Sequence, residues 1–215
     1  MIRVVIFDMD GVIVDSEPAH IEAEKQIMMQ HGVKLSTEDL RSYTGTTAEF
    51  EFTDLISKHH LRTTPEQLIR EKDVILFELL ERETKPTKGV IALIKGLRQD
   101  GFKLGIASSG RGKLVSYFLK KLNIEHLFDT VVCAEDITYS KPHPEIFLKA
   151  AERLREKPEN CIVIDDSKLG VEAAKRAGMK CIGFRNPKSG NQDLSKADFI
   201  TDDFTKLEIQ RLKSL

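Results

Sequence analysis

The sequence predicts an α/β fold: a doubly wound parallel sheet, interrupted near its start by an inserted α-helical cap subdomain. Three observations support this. Short apolar runs rich in β-branched residues recur along the chain, segments of helical period lie between them, and one long stretch, residues 15–87, has helical period and no such run. Continuous apolar runs are what strands buried on both faces require, and strand alternating with helix implies right-handed crossovers and hence parallel pairing.

Val4–Phe7 opens the series of strands, and 104–107, 130–133, 162–164, 181–184 and, with the weakest pattern, 199–200 continue it. Helical spacing separates them. Val90, Ile91, Leu93, Ile94 and Leu97 form one apolar face ending at Gly101, and Leu114, Val115, Phe118, Leu119 and Leu122 form a second. Ile146, Phe147, Ala150 and Leu154 form a third, and Val171, Ala174 and Ala177 a fourth that ends at Gly178. Gly101 and Gly178 stand where helices commonly end in a left-handed residue. Within the long interval, helices are expected over 18–31, 37–43, 50–59 and Pro65–Glu83, and Lys85-Pro86-Thr87-Lys88-Gly89 has the proline and glycine of a hinge. The expected organisation is therefore a Rossmann-like core of residues 1–14 and 88–215 with a helical cap of 15–87.

Composition narrows the partners. Of 215 residues 40% are hydrophobic and 31% charged, with a formal net charge of −1, so no field gathers nucleic acid or an anionic membrane, and neither is expected to bind. A monomer is expected. Cys133, Cys161 and Cys181 lie in or beside apolar runs with no zinc-ligand spacing among them, and read as reduced core thiols. The opening apolar run is too short for a signal segment or a membrane span, which makes the cytoplasm the expected compartment.

Ligands of open α/β sheets bind beyond the carboxyl ends of the strands, so the polar residues that end each run are the candidate site. The first run ends Asp8-Met9-Asp10-Gly11, the second Ser108-Ser109-Gly110, and the fourth Asp165-Asp166-Ser167. Lys141, in Ser140-Lys141-Pro142-His143-Pro144, precedes the helix that leads to the fourth run. The carboxylates of Asp8, Asp10, Asp165 and Asp166 at one edge repel one another unless a cation sits among them, and oxygen donors without histidine or thiol select Mg²⁺. Lysine and serine beside them add donors for a doubly charged, oxygen-rich group, which points to a phosphoryl ligand.

Asp8-Met9-Asp10-Gly11-Val12 resembles the first motif of haloacid dehalogenase superfamily phosphotransferases. Ser108, Lys141 and Asp165-Asp166 resemble the second, third and fourth, in order, over nearly the whole chain. An isolated Asp-x-Asp is a weak signal; four motifs at four strand ends are a strong one. The insertion is similar to the cap of the β-phosphoglucomutase-like branch. The resemblance implies that Asp8 attacks phosphorus to give an aspartyl phosphate, and that Asp10 protonates the leaving oxygen and then takes a proton from water. It further implies that Ser108 binds a phosphoryl oxygen and Lys141 neutralises charge. Mg²⁺ would be held by Asp8, the Asp10 carbonyl and Asp166, with Asp165 acting directly or through water. Gly11 permits the sharp turn after the strand. Halide displacement needs no acid for its leaving group, so Asp10 favours phosphoryl chemistry.

Blander readings stand beside these. Asp8 and Asp10 could close an Asx turn, Ser108 or Ser109 could cap a helix starting near Arg111, and Lys141 could be solvated. Ser167 is expected to cap the helix that follows it. Ser109 and Arg111 are further candidates for phosphate or substrate contact. His20 matches a histidine that mutase-like relatives hold near the acid/base aspartate, a solvated helix residue being the alternative. His31, His59, His60, His126 and His143 suggest no shared site, and Ile27-Met28-Met29 reads as cap packing.

The candidate specificity loop, residues 43–49, offers Thr44, Gly45 and Thr46 to the substrate. β-Phosphoglucomutases have a lysine just before the matching glycine and an arginine after it, gripping a second phosphate; Thr44 and Ala48 stand there in this chain. The expected function is a phosphatase of small phosphorylated metabolites, sugar phosphates above all. A β-phosphoglucomutase-type mutase is the alternative, and a non-catalytic phosphate-binding module a third, which would require a lost motif residue.

Overall fold

Each apolar run identified in the sequence is a strand in the computed structural model, which describes residues 2–83 and 85–213. The strands are β1 (Val4–Phe7), β2 (Lys103–Ala107), β3 (Thr130–Val132), β4 (Cys161–Asp165), β5 (Lys180–Phe184) and β6 (Phe199–Thr201). They form one parallel sheet in the order β3-β2-β1-β4-β5-β6, so the chain reverses its winding at β1 and opens a crevice there. Phe7 pairs with Ile106 on one side and Ile164 on the other, so Asp8, Ala107 and Asp165 leave the sheet at one level.

Period-2 alternation puts Val5 and Phe7 on one face and Val4 and Ile6 on the other, and both faces are covered. On the first pack α5 (Val90–Gln99), α6 (Gly112–Lys121) and the short C-terminal α9 (Ile209–Lys213), through Val90, Ile94, Phe118 and Leu212. On the second pack α7 (Glu145–Arg153) and α8 (Lys168–Arg176), through Ile146, Phe147, Val171 and Ala174. Because neither face meets water, the strands have no polar alternation, which is why they read as unbroken apolar runs. Gly101 and Gly178 have φ of +85° and +75° at the ends of α5 and α8, as expected.

Between β1 and β2 run α1 (Glu17–Gln30), α2 (Thr37–Arg41), α3 (Ala48–His59) and α4 (Pro65–Glu83), and α1, α3 and α4 share a separate buried cluster including Ile27, Met28, Phe52, Leu55 and Leu68. Met29 is instead 54% exposed, because three consecutive residues cannot share one helix face. The second half of α4 has another role: Leu76 and Leu80 belong to the sheet-side cluster and tie the insertion to the core. Where the chain leaves and re-enters the core, its two segments run antiparallel. Asp15 N–H donates to Lys85 O at 3.1 Å and Thr87 N–H to Ile13 O at 3.0 Å, a two-stranded connection at the expected hinge. All three cysteines are free and buried, and among the described residues no helix is long and apolar enough to cross a membrane.

Candidate active site

Asp8 sits at the end of β1, only 7% exposed, and β4 delivers Asp165 and Asp166 beside it. Lys141, itself 2% exposed, donates from Nζ to Asp8 Oδ1 at 2.7 Å and to Asp165 Oδ2 at 2.8 Å, with the Phe147 ring centroid 5.0 Å away. Carboxylate oxygens of Asp8, Asp165 and Asp166 all lie within 4.8 Å of one another. Neighbouring donors fix their orientation. Ser167 donates to Asp165 Oδ1 from its amide at 2.9 Å and its hydroxyl at 2.7 Å, and the same hydroxyl accepts from Gly170 N–H at 2.9 Å, capping α8. Ser189 Oγ donates to Asp166 Oδ2. Gly11 has φ of +78°, and a Cβ there would lie 2.0 Å from Asp166 Oδ2, so only glycine lets the turn pass this close.

The charge balance is lopsided. Burial pushes Asp8 up to about 8 against the pull of Lys141, with Asp165 and Asp10 adding to the rise. Burial also raises Asp166 well above the carboxylate range, reinforced by Glu17, Asp165 and Asp8 and only partly opposed by the Ser189 hydroxyl. One ammonium among three buried carboxylates leaves negative charge uncompensated, and a hard divalent cation is what such an all-oxygen donor set accepts. The residues present therefore fit Mg²⁺.

Asp10 is arranged differently from Asp8. Its Oδ1 accepts from Ser16 Oγ at 2.5 Å and lies 3.3 Å from His20 Nε2, with the Asp10 side chain one-fifth exposed. Burial would raise Asp10, yet the His20 contact and charge and the Ser16 hydroxyl outweigh it and hold the acid below its ordinary value. Reciprocally, burial would lower His20, but Asp10 raises it. His20 is thus beside the acid rather than solvated.

Above the carboxylates lies a cavity of about 560 Å³ lined by Asp8, Asp10 and Asp166 from the core and by Thr44, Gly45 and Thr46 from the insertion. Ser109 lines it as well; its hydroxyl donates to Gly45 O at 2.8 Å, and the Thr47 and Ser140 hydroxyls meet at 2.6 Å, latching cap to core. Arg111 also lines the cavity, and its guanidinium is held by Asp73 at 2.6 Å and Glu135 at 3.6 Å. Ser108 is fully buried, its Oγ accepting from Gly110 N–H at 3.0 Å. Neither serine caps α6, whose N-cap is Arg111 without a side-chain bond.

Several participants escaped sequence reasoning. Ser16, Glu17, Glu24, Glu51 and Lys72 on the cap side, and Asn186 and Ser189 from the loop after β5, were not singled out. Asn186 Nδ2 donates to Gly11 O at 2.9 Å. Glu17, His20 and Glu24 had a signal, since spacings of three and four put them on one helix face, next to the apolar Ala23 and Ile27. Ser189 had none.

Residues 5–184 match the family model described as haloacid dehalogenase-like hydrolase. The chain belongs to this family. Among curated haloacid dehalogenase-like relatives, a phosphorylated carbohydrates phosphatase of Thermotoga maritima is 36% identical over 83% of this chain and 82% of its own length. Hexitol phosphatase B of Escherichia coli K12 is 30% identical over 86% and 85%. Among solved haloacid dehalogenase-like structures, a β-phosphoglucomutase from Clostridium difficile superposes with a TM-score of 0.89 at 26% identity, covering 100% of this chain and 96% of that one.

Proposed function

We propose that this chain is a magnesium-dependent phosphatase that hydrolyses small phosphorylated metabolites, sugar phosphates above all, through a phosphoaspartate on Asp8. The observation that supports this most is the pairing of two unlike carboxylates on one cavity. Asp8 is held by Lys141 among buried acids, and Asp10 is held by Ser16 and His20.

Asp8 attacks phosphorus in line, the bond to the leaving oxygen breaks, and Asp10 gives that oxygen a proton. His20, 3.3 Å from Asp10 and raised by it, keeps a proton within reach of the acid. In the second half Asp10 takes a proton from water, which attacks phosphorus and frees Asp8. Lys141 balances charge on Asp8 and the phosphoryl oxygens throughout, and Ser108 and the amides after β2 receive those oxygens. Mg²⁺ held by Asp8, Asp166 and the Asp10 carbonyl, with Asp165 behind, would neutralise phosphoryl charge and offset the repulsion among these acids. Buried, free thiols agree with a reducing compartment such as the cytoplasm.

The names of the Thermotoga and Escherichia relatives favour sugar or polyol phosphates, and Thr44 and Ala48 supply no cation for a second phosphate. Resemblance to the Clostridium enzyme keeps the mutase as the second reading. Phosphate release from a panel of sugar phosphates with Mg²⁺, lost with EDTA, is expected. Interconversion of glucose 1-phosphate and glucose 6-phosphate when primed with the bisphosphate, with no net phosphate release, would favour the mutase instead.

A further inference from the structure

On the cap wall that shares the cavity with Asp10, acids outnumber bases out of water. Glu17 is 9% exposed, Glu24 5%, Glu51 5% and Lys72 4%, and all four line the cavity. Lys72 serves Glu24 first, donating to its Oε1 in a short bond, while Glu51 Oε2 stands 3.9 Å from the ammonium, beyond hydrogen-bond reach. The other oxygen, Glu51 Oε1, has no hydrogen-bond partner among the described residues although it is buried. Burial, with Glu24 and Glu17 nearby, raises Glu51 well above the carboxylate range against the pull of Lys72. A buried acceptor left without a donor is costly to the fold, and its placement on a ligand-sized cavity gives that cost a use.

We infer that Glu51, supported by Glu24 and Lys72, is a specificity-determining residue whose free oxygen accepts hydrogen bonds from hydroxyls of the leaving group. The preferred substrates are then monophosphates of neutral, polyhydroxylated alcohols, and a second phosphate is turned away. The inference rests on the phosphatase reading of Asp8 and Asp10. A sugar or polyol brings the donor that Oε1 lacks. A second phosphate brings only acceptors and negative charge to a wall of three acids and one lysine. Substrate recognition, on this reading, replaces the cationic grip missing at Thr44 and Ala48 with a hydrogen-bond acceptor four helical residues into α3.

The test compares kcat/KM for glucose 6-phosphate, sorbitol 6-phosphate, fructose 1,6-bisphosphate and p-nitrophenyl phosphate, whose leaving group has no hydroxyl to donate once bound. Wild-type enzyme should favour the two monophosphates over the bisphosphate. Glu51→Ala and Glu51→Met, neither of which keeps an acceptor oxygen, should lower the ratio of sugar monophosphate to p-nitrophenyl phosphate by about tenfold or more, chiefly through KM, without lowering Tm. A group kept for structure alone would lower Tm and leave the ratio in place. If wild-type enzyme releases phosphate but the ratio moves by less than about twofold in both variants, or the bisphosphate is used as well as the monophosphates, the inference is overturned and the phosphatase reading stands. If no substrate yields phosphate, the phosphatase reading fails and takes the inference with it. Should Glu51→Ala not fold, the similarly sized Glu51→Met and the wild-type substrate order decide the matter.

Discussion

Lys141 Nζ lies 2.7 Å from Asp8 Oδ1 although 133 residues separate the two in the chain. The same ammonium reaches Asp165 at 2.8 Å, so one buried lysine binds the ends of β1 and β4 together.

Lys141→Ala would leave those carboxylates buried against each other. Losing one partner of a buried charge cluster costs about 3–5 kcal/mol, and a fall of that size in urea-unfolding stability is expected, together with a loss of turnover of about 10³-fold. An unchanged unfolding midpoint would contradict the geometry.

Asp8→Asn should abolish turnover of every substrate and prevent trapping of an acid-stable phosphoenzyme. Asp10→Ala should depend on the leaving group. In kcat/KM, which reports the steps up to the phosphoaspartate, the loss with sugar phosphates is about 10²–10⁴-fold, the worth of a general acid, whereas p-nitrophenolate departs without a proton and should lose far less. Equal losses of kcat/KM on both substrates would count against Asp10 as the acid.

Gly11→Ala tests the crowding at Asp166. At φ of +78°, with a Cβ 2.0 Å from Asp166 Oδ2, the variant must shift the carboxylate or the turn. A stability loss of about 1–3 kcal/mol and a raised Mg²⁺ concentration for half-maximal activity are expected from thermal melts and metal titration.

Glu51 gives the fold a pH dependence of defined sign. Its folded-state pKa is raised above the ordinary 4.5, so its contribution is fully present below that value and is lost as pH rises through the folded-state pKa. Glu51→Gln mimics the neutral acid. Its Tm should match wild type in acid and exceed it increasingly as pH rises to about 8, whereas a pH-independent difference in melting would exclude this origin.

The three thiols should be silent. Burial, with acids nearby, pushes Cys133 and Cys161 up to about 12 and Cys181 further still. Ellman's reagent should find almost no reactive thiol in the native protein near pH 8 and all three after denaturation.

The sheet was legible in the sequence because burial of both faces is written locally, as runs such as Val4–Phe7 that need no partner to be recognised. So were Asp8, Asp10, Asp165 and Asp166, since residues that end such a run are carried to the sheet edge by the strand itself, whereas Lys141, in the loop before α7, was legible only through its resemblance to the third motif. The packing of the insertion on the core decided the rest: that Glu51 faces Asp10's cavity with an oxygen to spare, that Arg111 is held by Asp73, and that Ser189 reaches Asp166. These contacts join side chains whose meeting depends on how helices and loops from distant parts of the chain pack, and spacing along one segment has no record of that.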